Sequence, residues 1–158
     1  MNKRIWWLIG GLVLLLGVSC VVCFGTGVVG MLLSTRPPED VEVTLRYPEE
    51  VTSGEDFVVE VIVRNLAQRE RTLNSIDIDD TLLEGCMVLR TQPPVHQVIP
   101  LNGFTSYFFE HSIAPRGEIT VQLHMRGTQA GLHQGNVDVC IDGMGRCVSH
   151  NVIITVVP

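Results

Sequence analysis

The sequence predicts a β-sandwich of about seven to nine short strands behind one N-terminal membrane-spanning helix. Three observations carry that expectation. Residues 5–33 form an uncharged, almost continuously apolar run, IWWLIGGLVLLLGVSCVVCFGTGVVGMLL. Past Asp40, apolar and polar residues alternate in one short segment after another, the period of a strand with one buried face. Pro, Gly and Asn punctuate those segments, and no stretch beyond the first run shows a convincing helical period.

The apolar run comes first. A helix of about 20 residues crosses the hydrocarbon core of a bilayer, and this run is longer. In lipid a lone segment satisfies its backbone polar groups only as a helix. Lys3 and Arg4 precede the run, whereas Arg36, Glu39 and Asp40 follow it. Cations favour the cytoplasmic side, so residues 1–4 are expected inside and the C-terminal domain outside a cell membrane crossed once. Trp6 and Trp7 sit at the first edge, where indole rings favour the interface. Two alternatives compete with this span. A cleaved secretory signal has a shorter core of roughly 7–15 residues. A lipoprotein anchored at Cys20 is suggested loosely by Leu16-Gly17-Val18-Ser19-Cys20, but Gly17 stands where leucine is usual, and Val21, Val22 and Phe24 stay apolar where such chains turn polar. Length favours the retained span. Within it Ser19, Cys23 and Gly27 recur every four residues, with Gly30 close to the same face. Small residues at this spacing let two helices approach, a candidate helix–helix face, although glycine is common in membrane helices generally. The absence of an acidic residue in the run argues against pilin-like assembly.

Residues 34–40 are a linker, in which Pro37 and Pro38 end the helix and favour an extended spacer. The domain is expected over residues 41–158. Val41, Val43, Leu45 and Tyr47 alternate with polar neighbours; Pro48 stops this strand, and Thr52-Ser53-Gly54-Glu55 turns the chain. Phe57 to Arg64 is a second strand, and Leu73 to Ile78 a third, with a parity break near Ser75 that predicts a bulge. Thr81 to Glu84 reads as a helical turn or a loop, Cys86 to Arg90 as a strand, and Val95 to Leu101 is ambiguous. Tyr107 to Ile113 and Ile119 to Met125 alternate clearly, the first placing His111 on an inward face. Gly127 to Gly135 reads as a loop. Val137, Val139 and Ile141 lead into Asp142-Gly143-Met144-Gly145, and Val148 to Val156 leads out. A type II′ turn beginning at Gly143 pairs Val139 with Val148 and Cys140 with Cys147.

From Pro37 onward the chain carries eight arginines against all seventeen acids. That balance argues against a nucleic-acid partner, since phosphate binding needs clustered cations, and against docking on anionic headgroups. The bland meaning of such a charge is a soluble acidic surface. Cys140 and Cys147 are a candidate disulfide, because opposed residues on adjacent strands place their Cβ atoms within reach of one. Two free thiols are the alternative, and Cys86 then reads as a small buried residue. A zinc site built on Cys147 with His150 fails because residues three apart on a strand point to opposite faces. Asp77, Asp79, Asp80 and Glu84 make an acidic corner, but Leu82 stands where an EF-hand loop needs Gly and Val88 where it needs the closing Glu, which leaves a solvated turn or a surface calcium site. No G-x-S-x-G, H-E-x-x-H or P-loop occurs. No catalytic residue, metal site or cofactor is therefore expected.

Val43-Thr44-Leu45, Pro48, Ser53-Gly54, Phe57 to Val63 and Asn65 follow the order strand, Pro, turn, Gly, strand, Asn. In this the domain resembles bacterial immunoglobulin-like surface modules of the CARDB and DUF11 kind, and Gly131 to Val139 with Val152 to Val157 fits the same scheme. The resemblance implies an immunoglobulin-like sandwich with a surface or scaffold role and no transferable functional residues. The expected function is a non-catalytic interaction module. It would be held to the lipid bilayer by its N-terminal helix and would meet an unknown protein or cell-envelope partner. A ligand-binding or enzymatic domain whose pocket forms only on folding is the alternative from another class.

Overall fold

The computed structural model describes residues 37–158. The expected span, the helix–helix residues Ser19, Cys23, Gly27 and Gly30, and Cys20 all lie outside the described residues. Among the described residues no helix is long and apolar enough to cross a membrane.

Among the described residues ten strands form two packed sheets, joined by loops and one helical turn. The strands are β1 (Val41–Arg46), β2 (Glu50–Thr52), β3 (Asp56–Asn65), β4 (Arg71–Asp79), β5 (Cys86–Gln92), β6 (Gln97–Pro100), β7 (Phe104–Ile113), β8 (Glu118–Gly127), β9 (Gly131–Ile141) and β10 (Cys147–Val157). The single turn α1 (Asp80–Leu83) links β4 to β5. One sheet has the order β1-β3-β8-β5, the other β2-β10-β9-β4-β7-β6. Alternation explains the packing, because successive side chains of a strand point to opposite faces. Phe57, Val59, Val61 and Val63 of β3, with Val121, Leu123 and Met125 of β8, meet Ile76 and Ile78 of β4, Val137 and Val139 of β9, and Val152, Ile154 and Val156 of β10 in one core. Burying that apolar area, at about 25 cal/mol per Å², is the main stabilising contribution.

Three expectations are corrected by the strand pairing. Gly127 to Gly135 is not a loop throughout: β8 runs to Gly127, and residues 131–135 begin β9, paired with residues 152–156 of β10. The glycine at 135 marks close approach rather than a turn, since a Cβ there would lie 2.9 Å from the Asp79 Cβ and 3.0 Å from the Leu82 Cβ. His111 is exposed, not inward. Glu110 has φ +50° and the β4–β7 register shifts beside it, which breaks the alternation between Phe109 and Ile113. Residues 50–52 form β2, a short strand parallel to β10, although nothing in three residues announces it. The pairing of β4 with its neighbours also shifts between Leu73 and Ser75, the position of the parity break.

Polar side chains fix the loops at one end. Asn65 is fully buried at the end of β3, where its Nδ2 donates to the carbonyls of Arg69 (2.8 Å), Ile113 (3.2 Å) and Ala114 (3.0 Å) and its Oδ1 accepts from the Ala67 N–H (2.9 Å). Arg71, only 3% exposed, donates to Asp142 Oδ2 at 2.6 Å and also to Asp40. The Thr72 N–H donates to Asp142 Oδ1 at 2.9 Å. The β9–β10 loop and the residues that lead into β1 are thus both tied to the start of β4.

Candidate functional site

β9 and β10 pair antiparallel with Val139 opposite Val148 and Cys140 opposite Cys147. Asp142, Gly143 and Gly145 take positive φ in the five residues between the two strands, the conformation that a tight reversal of two strands requires. Cys140 and Cys147 are joined as a disulfide, with their Cα atoms 3.9 Å apart. Cys140 is 1% exposed and Cys147 is half-buried. Both lie on the outer face of the six-stranded sheet, because their neighbours Val139 and Ile141 point into the core.

β4 brings a third group to this place. Ser75 stands opposite Cys140, and Asp77 opposite Asp138. These residues follow the register shift, so Ile76 and Ile78 turn inward while Ser75 and Asp77 share the outer face with the disulfide. Asp77 Oδ2 lies 3.5 Å from Cys140 Sγ. A disulfide sulfur carries no proton, so this is a contact of a carboxylate with sulfur, not a hydrogen bond. Asp77 Oδ1 and Asp138 Oδ1 are both shielded from solvent and have no protein partner. Like charges directly opposite on a sheet repel. Asp77, Cys140 and Cys147 are the group among the described residues whose possible metal-ligand atoms come within 4.8 Å of one another.

The other expected chemistry disperses. Asp79 accepts from the Asn136 N–H at 2.7 Å, and Asp80 accepts from the Thr105 hydroxyl at 3.3 Å, so two members of the acidic corner secure α1 to its surroundings. His150 lies on the opposite face of β10 from Cys147, opposite the inward Val137. His133 contacts the Gln129 carbonyl through Nε2 at 2.8 Å, and His124 is 3.3 Å from Arg90. Cys86 is a free, fully buried thiol, and burial pushes it up to about 11. The sequence reading missed Asp77 as a neighbour of the cysteines. Only the non-local pairing of β4 with β9 puts it there, and no local spacing signals it.

The staple closes a short loop. Replacing Cys140 and Cys147 together with alanine should lower stability by about 2.5 kcal/mol on the chain-entropy account. The check is a lower urea midpoint for the full chain in detergent micelles, with the same loss on reduction of the unmodified chain.

A second surface lies at the sheet edges. β5 is the last strand of one sheet and β6 of the other, and residues 93–96 alone connect them. Met87, Leu89, Val98 and Leu101 are exposed there, Met87 at 48% and Val98 at 46%. The opposite edges differ: β2 has three residues, and β1 presents Glu42, Thr44 and Arg46 to solvent. Short or charged edges resist pairing with another chain, whereas apolar ones invite it.

No protein-family model and no curated protein sequence matches the chain. Solved structures do. The cupredoxin domain of amoB from Nitrosocaldus yellowstonii is similar at 10% identity and a TM-score of 0.51, covering 77% of this chain and 90% of that one. AvmM, which catalyses macrocyclization in alchivemycin A biosynthesis, is similar at 8% identity and a TM-score of 0.51, with the same coverages of 77% and 90%. The CARDB domain of the PF1109 protein from Pyrococcus furiosus, solved in complex with di-metal ions, is similar at 17% identity and a TM-score of 0.44, covering 75% of this chain and 88% of that one. The fold is a two-sheet β-sandwich. At these identities the likeness concerns fold alone, since one sandwich architecture carries many unrelated functions.

Proposed function

We propose that this chain is a single-pass membrane protein, with its N-terminus inside. It presents the immunoglobulin-like sandwich outside the cytoplasm as a non-catalytic interaction or scaffold module. The observation that carries the interaction reading is the β5–β6 side, where two sheet edges carry Met87, Leu89, Val98 and Leu101 into solvent. An extended segment of a partner protein adds to such an edge through main-chain hydrogen bonds, and the apolar side chains beside it select the segment. The anchor rests on the uncharged run of residues 5–33.

The test is proximity labelling from intact membranes. A Leu89→Lys/Val98→Lys variant should lose most of the labelled partner, whereas Thr44→Lys on the charged edge should keep it. An unchanged labelled set in the first variant rejects the edge as the binding surface. Release of the full-length chain from alkali-washed vesicles rejects the anchor independently.

A further inference from the structure

We infer that the β9–β10 hairpin, once its disulfide is reduced, is a zinc site made of Cys140, Cys147 and Asp77, and that oxidation to the disulfide expels the metal. The three groups already converge: Asp77 Oδ2 is 3.5 Å from Cys140 Sγ, and all three ligand atoms fall within 4.8 Å of one another. On a tetrahedral zinc, a thiolate sulfur at about 2.3 Å and a carboxylate oxygen at about 2.0 Å stand roughly 3.5 Å apart. The carboxylate therefore already has the spacing from sulfur that shared coordination requires. Only the two sulfurs must separate once their bond is broken. Cys147, at the first position of β10, is only half-buried, whereas Cys140 is held at 1% exposure.

A second observation points to a cation at this place. Asp77 Oδ1 and Asp138 Oδ1 are both shielded from solvent without a protein donor, on strands that set the two carboxylates directly opposite each other. A divalent ion beside them offsets their mutual repulsion, with Asp77 as ligand and Asp138 as a neighbouring charge. Two thiolates select a soft or borderline metal over magnesium or calcium. Three protein ligands leave the fourth position of zinc to water.

The chemistry balances. A phosphine reductant gives two electrons to the Cys140–Cys147 bond and leaves as its oxide. Water supplies the oxygen of that oxide and the two protons of the new thiols. Zinc then binds both sulfurs as thiolates, releasing two protons to solvent, and the Asp77 carboxylate completes the protein ligands. Re-oxidation by a two-electron oxidant such as hydrogen peroxide joins the two sulfurs again, reduces the peroxide to two waters with two protons from solvent, and frees the zinc, so the hairpin holds a disulfide or a metal and never both.

The experiment uses the full chain in detergent micelles, oxidised or reduced with a water-soluble phosphine under argon. Zinc is titrated against a chromophoric chelator, and cobalt(II) serves as the optical reporter of tetrahedral thiolate coordination. The reduced chain should bind one metal ion with a sulfur-to-cobalt charge-transfer band, and the oxidised chain none. Cys20→Ser/Cys23→Ser should retain the site, which separates it from thiols in the apolar run. Cys147→Ser should abolish it, and Asp77→Ala should weaken it by about tenfold or more. The melting curve of oxidised Asp77→Ala reports whether that variant folds. Equal affinity in the Asp77→Ala and unmodified reduced chains overturns the proposal. So does retained binding in Cys147→Ser, or a reduced chain that takes up no metal.

Discussion

Asn65→Ala is expected to destabilise the sandwich by about 3–4 kcal/mol, read as a fall in the urea midpoint with an unchanged slope. The side chain is fully buried and ties two separate pieces of chain to the end of β3. Its amide donates to Arg69 in the following loop and to Ile113 and Ala114 at the end of β7, while its carbonyl takes the Ala67 N–H. Each such bond contributes about 1 kcal/mol net, and a buried group left without a partner costs about 1–3 kcal/mol. Truncation orphans several at once, and the alanine methyl supplies neither a donor nor an acceptor in their place. Asn65→Asp should be no better, because a carboxylate cannot donate to three carbonyls. A loss below about 1 kcal/mol in Asn65→Ala would show that water replaces the amide at little cost.

Arg71→Met is expected to cost about 3 kcal/mol and to flatten the acid limb of the stability profile. Removing one member of a buried ion pair leaves the other desolvated and uncompensated. Arg71 is 3% exposed and holds both Asp142, whose side chain is 21% exposed, and Asp40. Burial pushes the Asp142 carboxyl up, but the Arg71 guanidinium, the Thr72 N–H and the Arg69 charge together outweigh it, and the group titrates below its ordinary value of 3.8. Burial likewise works against the Arg71 charge, and the two carboxylates more than restore it. A carboxylate depressed in the folded state binds its proton more readily in the unfolded chain. Its stabilising contribution is complete above the ordinary carboxylate value and is lost as pH falls through the folded one. Melting temperature should therefore drop below about pH 4 in the unmodified chain, and this acid-dependent component should shrink in Arg71→Met and in Asp142→Asn. Identical acid limbs in all three would remove Asp142 as a contributor.

Much of the architecture is written in alternation. Phe57 to Val63 and Val121 to Met125 read as half-buried strands because period-two patterning is local, and the structure pairs them with one another. The hairpin register was legible from Gly143 for the same reason: a turn residue fixes which strand positions oppose each other. Where the reading failed, the cause lay beyond the neighbourhood. β2 exists because β10 passes beside residues 50–52, and residues 131–135 are strand because β10 also pairs with them. His111 turned outward because the β4–β7 register shifts opposite it: the parity break near Ser75 announces that shift on β4, and nothing local announces it on β7. The cysteine pair was visible, but Asp77 joins it only through the pairing of β4 with β9, from residues distant in the chain.

The position of β10 has a consequence for synthesis. It lies between β2 and β9, and it supplies the partner for both. The six-stranded sheet therefore keeps an open slot until residues 147–157 have left the ribosome, and residues 50–52 wait about a hundred positions for their hydrogen bonds. During that interval β9 is an unsealed border, vulnerable to strands from neighbouring nascent chains, so a chaperone would protect this protein most in the seconds before its last strand arrives.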